Sequence, residues 1–323
     1  MKILRFSTFG QAADVLSLED HEPASLNDGD VRLRVLASPI NPADLNFIEG
    51  TYGVKPELPA VAGIEGCAEV TESRSAEFAP GDRCIFIAQA ELWAEETVVP
   101  ASTLVKLPAG IDPVQAAMLK VNPATAWQML TGFATLPEGS WVVQNAANSG
   151  VGQSVIQLAP LLGLRTINLV RRESLFDELK ALGADHVLLD DSDGVDAAKS
   201  ICGSDRPALA LNAVGGDSAL RLMNILGPGG IHVTYGAMGR KPLKVPNGLL
   251  IFKNLQLRGF WLTEWLRHAS VDEVRGVYQR LAEVMADGKL KLPVDSTHPL
   301  ADFAAAFARN GSPERDGKVL FVP

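Results

Sequence analysis

The residues best suited to chemistry lie between positions 144 and 172. Gln144-Asn145-Ala146-Ala147-Asn148-Ser149-Gly150-Val151-Gly152 follows an apolar run and leads into a helical pattern. Small residues at such a turn let backbone N–H groups and the positive end of a helix approach a pyrophosphate, and glycine is needed where a Cβ would collide. Ala147 stands at the first glycine of a strict GxGxxG, so two readings are open, a dinucleotide turn and an ordinary strand-to-helix connection. The strand-helix-strand frame around it favours the first. At the end of the next strand, where an acidic residue would bind the ribose hydroxyls of NAD, stands Arg171-Arg172. Guanidinium groups match a 2′-phosphate bidentately, which points to NADPH. Glu173 follows at once and weakens that preference, and the other reading is two solvated surface arginines.

Metal chemistry finds no such constellation. Cys67, Cys84 and Cys202 are odd in number, far apart and outside any CxxC, so neither a disulfide framework nor a thiolate zinc site is indicated. The histidines at 21, 186, 232, 268 and 298 form no helical pair and have no neighbouring cysteine, and none is assigned to catalysis. A reducing, cytoplasmic setting is the expectation.

These groups need a scaffold. A chain of 323 residues exceeds what one ordinary core serves well, so two domains are expected, and 47% hydrophobic with 21% charged residues is a globular α/β composition. A net charge of −9 argues against a nucleic-acid surface, which needs clustered Lys and Arg. The start, Met1 to Phe6, reads directly as a strand with no export signal, and no apolar run approaches the roughly 20 residues that span a bilayer. Up to about 120, short alternating runs such as Val31 to Val35, split by Asn27-Asp28-Gly29-Asp30 and Pro80-Gly81-Asp82, predict a β-rich, barrel-like domain. Beyond it the rhythm becomes strand (141–144), helix (152–162), strand (166–170), helix (175–182), strand (186–189), strand (209–212), helix (218–226), strand (231–235) and strand (255–259). That alternation predicts a doubly wound parallel sheet. A helix over 271–286 and a strand over 318–322 return to the first domain, so the expected division is 1–120 with 265–323, and 121–264.

Longer segments carry a family resemblance: Asn41-Pro42-Ala43-Asp44-Leu45-Asn46, Glu49-Gly50-Thr51-Tyr52-Gly53, Leu58 to Gly63, Gln144 to Gly152, Leu164 to Arg171, Leu211 to Gly216, Val233 to Met238, Leu250 to Lys253 and Leu257 to Leu262. Over nearly its whole length the chain resembles the medium-chain dehydrogenase/reductase superfamily, and within it the 2-enoyl thioester reductases. Gly63-Ile64-Glu65-Gly66 has isoleucine where the family's zinc members carry a histidine ligand. The resemblance implies an α/β protein with a GroES-like β-rich catalytic domain and a Rossmann domain. It implies Tyr52 as the catalytic residue. It also implies that Asn122, Asn148, Ser149, Gly150, Val151, Gly152, Arg171, Arg172, Tyr235, Gly236, Ala237, Met238, Phe260, Trp261, Leu262 and Lys318 line NADPH.

The implied reaction is hydride addition to the β-carbon of a trans-2-enoyl thioester, with an enolate then protonated at the α-carbon. Phenols carry their proton at neutral pH, so Tyr52, in a Gly-flanked loop, suits hydrogen bonding to that charge. Read without the resemblance, a loop tyrosine is more often a packing or exposed residue. The partners expected are an acyl thioester of CoA or acyl carrier protein and a second copy of the chain, with no nucleic acid and no membrane. Lys244, Lys253, Arg258 and Arg267 have two readings, contacts to the thioester's phosphates or a solvated basic face. Two rivals stand beside this function: a quinone or α,β-unsaturated ketone reductase, and a non-catalytic NADPH-binding protein.

Overall fold

The strand and helix alternation after residue 140 closes into a six-stranded parallel sheet, with neighbours in the order His186–Leu189, Arg165–Val170, Trp141–Gln144, Leu209–Asn212, Ile231–Thr234 and Gln256–Gly259. The computed structural model describes residues 1–323, which divide into two compact units, Met1–Val121 with Leu266–Pro323, and Asn122–Trp265. Helices on the faces of the second unit's sheet bury its central strands, and Trp141–Gln144 and Leu209–Asn212 are buried at every position. The strand order reverses at Trp141–Gln144, the place where open α/β sheets leave a crevice beyond the carboxyl ends of their strands.

The helix expected over 152–162 is an α-helix only over Gly150–Leu158, followed by a 3-10 turn, Ala159–Leu162. Pro160 has no N–H to continue the α-helical ladder, and Gly163, at φ 69°, ends the turn. The helix Ser192–Cys202 has no counterpart in the sequence reading, and Gly194 in its first turn is a poor helix former. In the structure Asp191 caps it, its carboxylate accepting the Gly194 N–H at 2.8 Å.

One buried polar group in this sheet is open to test. His232 is wholly buried on Ile231–Thr234, and neither ring nitrogen has a hydrogen-bond partner. Burial holds its pKa down, from 6.5 to about 4. Between those values the unfolded chain binds a proton that the folded chain refuses, so stability falls on acidification by about 1.4 kcal/mol per pH unit. His232→Leu is expected to flatten that slope. Denaturant midpoints at pH 5 and pH 7 check it, and an unchanged difference between them would contradict the assignment.

In the first unit the long strand Asp30–Pro39 is the hub, pairing antiparallel with Cys67–Ser73, Glu96–Pro100 and Lys318–Phe321. Its alternate residues Val31, Leu33 and Val35 enter a core with Val70, Phe78, Phe86 and Leu104. A second cluster, built on Leu4, Phe6, Phe47, Trp93 and Phe321, packs the helix Pro42–Ile48 against the three-stranded sheet of Lys2–Phe6, Leu16–Asp20 and Ala60–Val61. The helix Val271–Ala286 forms over the expected residues, capped by Ser270, which accepts the Glu273 N–H at 3.2 Å. No helix is long and apolar enough to cross a membrane.

Candidate active site

The turn after Trp141–Gln144 is held by its own backbone. Ala146 takes a positive φ of 49°, a conformation unfavourable for a residue with a Cβ, and its carbonyl accepts the Ser149 N–H at 2.8 Å. Ser149 then caps the helix Gly150–Leu158, its hydroxyl accepting the Gly152 N–H at 3.1 Å. A Cβ on Gly152 would stand 2.6 Å from the Ala147 carbonyl and 2.7 Å from that of Ala146, and a Cβ on Gly150 would press the Asn122 amide at 3.0 Å. Asn122 Nδ2 is buried with no hydrogen-bond partner, as is the hydroxyl of Tyr235, which lies beside Ser149 and whose pKa burial raises. Orphaned donors next to a helix N-terminus that side chains cannot fill suit a ligand rich in acceptor oxygens, as a pyrophosphate is.

The structure gathers the remaining Rossmann candidates at the carboxyl ends of the strands. Asn148, Ser149, Gly150, Val151 and Gly152 follow Trp141–Gln144, and Arg171 and Arg172 stand exposed after Arg165–Val170. Tyr235 to Met238 follow Ile231–Thr234, where the Met238 N–H donates to the Ala213 carbonyl at 2.9 Å. Phe260 to Leu262 follow Gln256–Gly259, with the Phe260 ring edge-on to Phe133 at 6.0 Å. A buried amide chain underlies these loops: Asn145 Nδ2 donates to Asn212 Oδ1 and Ser218 Oγ, both at 2.8 Å, while Asn145 Oδ1 accepts the Ala213 N–H at 2.8 Å.

In the first unit, Tyr52 is anchored through its backbone. Its N–H and that of Thr51 donate to the Asn46 carbonyl at 3.1 and 2.9 Å, and its half-buried ring packs on the cluster around Phe47. Gly50 has φ 72°, and a Cβ there would meet the Phe9 ring at 2.9 Å. The helix that ends beside this loop starts at a buried ion cluster. Asp44 accepts the N–H groups of Asn41 and Ile64, each at 2.9 Å. Glu65 accepts Asn41 Nδ2 and the Val121 N–H, each at 2.7 Å, and Asn41 Oδ1 accepts from Lys318 Nζ. Lys120 Nζ donates to the carbonyls of Ile64 at 2.6 Å and Ala88 at 2.7 Å. Burial pushes Asp44 up to about 6 and Glu65 up to about 7, and pushes Lys120 down to about 8, with the opposite charges pulling each back.

Asp44, Glu65 and Lys120 are absent from the sequence reading as functional residues. Charges inside otherwise apolar runs, as in Leu119-Lys120-Val121, are the only signal for them, and such a signal does not say which partner each will find. The basic residues read there as phosphate contacts are engaged otherwise in part. Lys253 Nζ donates to the carbonyls of Met223, Asn224 and Leu226 at the end of the helix Gly216–Ile225, and Lys244 pairs with Asp217 at 2.8 Å.

The Alcohol dehydrogenase GroES-like domain family matches residues 27–109, and the Zinc-binding dehydrogenase family matches residues 150–283. The mitochondrial enoyl-acyl-carrier-protein reductase of Homo sapiens is 42% identical over 100% of this chain and 88% of its own. The chain belongs to the medium-chain dehydrogenase/reductase superfamily, in its enoyl thioester reductase branch. Among solved structures, a putative NADPH:quinone reductase from Bacillus thuringiensis superposes with TM-score 0.93 at 28% identity, covering 100% of this chain and 98% of that one. The Etr1p/NADP/crotonyl-CoA complex superposes with TM-score 0.90 at 27% identity, covering 100% and 99%.

For this superfamily member the name of the second matched family raises zinc, and the residues present do not fit it. Ile64 carries no donor atom, its backbone N–H and carbonyl are bound to Asp44 and Lys120, and both Glu65 oxygens accept hydrogen bonds. No three His, Cys, Asp or Glu side chains are grouped to hold a metal ion. The expectation of a cytoplasmic protein is corrected by the relatives, which are named as mitochondrial proteins. The three cysteines are free and buried, and carry no address.

Proposed function

We propose that this superfamily member reduces the C2=C3 double bond of trans-2-enoyl thioesters with NADPH. The observation that supports this reading most directly is full-length similarity to enoyl-acyl-carrier-protein reductases, together with a strand-to-helix turn in which a Cβ on Gly152 would collide with backbone carbonyls. NADPH, when bound, supplies the hydride that the β-carbon accepts. The chain's own residues do the rest. Asn148 to Gly152 and the helix they open hold the pyrophosphate, while Arg171 and Arg172 grip the 2′-phosphate. Tyr52 donates its hydroxyl proton first as a hydrogen bond to the enolate and then to the α-carbon, returning to the phenol from solvent.

Turnover of crotonyl-CoA and longer enoyl thioesters with NADPH, against quinones and unsaturated ketones, tests the assignment. Reduction of quinones with no thioester turnover would replace it with the rival reductase, and tight NADPH binding with neither would favour a non-catalytic role. Arg171→Ala is expected to raise the KM for NADPH roughly tenfold while changing that for NADH little, since a charge-assisted bond to the 2′-phosphate is lost. An unchanged NADPH/NADH ratio would remove the clamp.

We also propose a homodimer formed along Gln256–Gly259. This strand pairs on one side only, all four of its residues are exposed, and Ile251 and Phe252 nearby are 69% and 85% exposed. A bare edge beside large apolar side chains is otherwise a route to aggregation. A monomer in sedimentation velocity would overturn this.

A further inference from the structure

The strand that leads into Arg171 and Arg172 ends beside a carboxylate. Val170 and Leu189 are the last paired residues of Arg165–Val170 and His186–Leu189, and the Asp190 N–H donates to the Val170 carbonyl at 2.8 Å, which carries the pairing one step further. Arg171 and Asp190 are thus the next residues of two neighbouring strands, whose backbones run about 5 Å apart. At that separation a free carboxylate would compete with a phosphate for the Arg171 guanidinium and would repel the phosphate itself. Asp190 is not free. Its side chain is only 6% exposed, and both of its oxygens are taken by the helix Gly216–Ile225. Oδ1 accepts Arg221 Nε at 2.6 Å, and Oδ2 accepts the Ser218 hydroxyl at 2.5 Å. Ser218 is oriented for this donation, because its oxygen receives Asn145 Nδ2 at 2.8 Å and its one proton goes to Asp190.

We propose that Arg221, by masking the Asp190 carboxylate, is a positioning residue that sets the preference for NADPH over NADH, leaving the Arg171 guanidinium to the 2′-phosphate. The packing supports the geometry. Leu169 and Leu188, two positions before Arg171 and Asp190, join the core cluster that holds Ala219 and Leu222, so the helix of Arg221 covers this face of both strands. Arg171 and Arg172 stand exposed beyond it. NADH has no 2′-phosphate, so an unmasked carboxylate would act against one cofactor alone, whereas loss of a merely structural ion pair would weaken both alike. The inference rests on the reading above that Arg171 grips the 2′-phosphate.

Arg221→Met, Asp190→Asn and the double variant Asp190→Asn/Arg221→Met, assayed with NADPH and with NADH at saturating crotonyl-CoA, test it. Arg221→Met is expected to raise the KM for NADPH about tenfold and that for NADH less than about twofold, because it uncovers a negative charge beside Arg171. The double variant removes both charges and is expected to return the KM for NADPH to within about threefold of the parent. Arg221→Gln keeps a donor to Asp190 without the charge and carries the same test if Arg221→Met fails to fold. Asp190→Asn alone leaves Arg221 uncompensated and is expected to raise the NADPH/NADH preference about threefold. Equal rises in both KM values on losing Arg221, a double variant as impaired as Arg221→Met, or a preference that Asp190→Asn leaves unmoved or lowers would each overturn the mask. If Arg171→Ala shifts the preference and Arg221→Met does not, the mask alone falls. If Arg171→Ala shifts nothing, the clamp falls and the mask with it, while the enoyl reductase assignment, which depends on Tyr52 and the substrate profile, survives.

Discussion

Tyr52→Phe is expected to lower kcat for crotonyl-CoA by about a hundredfold or more, the range lost when a positioned proton donor is removed from a transition state. The KM for NADPH is expected to stay within about threefold, because the proposed role of the hydroxyl is on the thioester and not on the nucleotide. The ring itself is retained, so packing on the cluster around Phe47 survives and the fold is not at issue. The contrast between kcat and KM is what matters. Equal losses in turnover and NADPH affinity would mean that the phenol supports the cofactor or the loop, and unchanged turnover would leave proton delivery to solvent.

Gly152→Ala should be the most damaging single methyl group in the chain for cofactor binding. In an exposed helix, replacing glycine by alanine stabilises by about 1 kcal/mol through backbone entropy and propensity. At Gly152 the sign reverses, because the new Cβ would stand 2.6 and 2.7 Å from two backbone carbonyls of the turn, and backbone cannot swing away as a flexible side chain can. The turn must open, moving the N–H groups proposed to face the pyrophosphate, and NADPH affinity is expected to fall about a hundredfold or more. Gly276→Ala is the control: this glycine lies exposed within Val271–Ala286, with nothing near its absent Cβ. It should raise the melting temperature and leave NADPH affinity unchanged. Fluorescence titration of both variants with NADPH decides the matter, and matching affinities would show that the turn is not where the nucleotide sits.

The buried cluster at Asp44, Glu65 and Lys120 also bears on the missing histidine ligand. Where zinc members of the superfamily carry that ligand, this chain has Ile64, whose backbone is tied on one side to a carboxylate and on the other to an ammonium. The polarity of the region is therefore kept in internal hydrogen bonds of buried charged groups. Removing one partner of such a set leaves an uncompensated buried charge, which costs more than the pair contributes.

Much of the architecture was legible in residue order because local physics sets it. The change from two-residue to helical periodicity announces the parallel sheet, and Gly152 marks a turn that a side chain would block, whereas the helix expected to run to 162 is α-helical only as far as Leu158, because Pro160 lacks the N–H to continue it. Partnership between distant residues was not legible. Asn41, Glu65, Val121 and Lys318 lie as far as 277 positions apart in the chain, and only strand register brings them together. The solitude of His232, buried with both nitrogens unpaired, is likewise a fact of packing. Local propensity depends on a few neighbouring residues and survives in a linear string; the environment of a buried charge depends on every segment that packs around it, and exists only once the chain has folded.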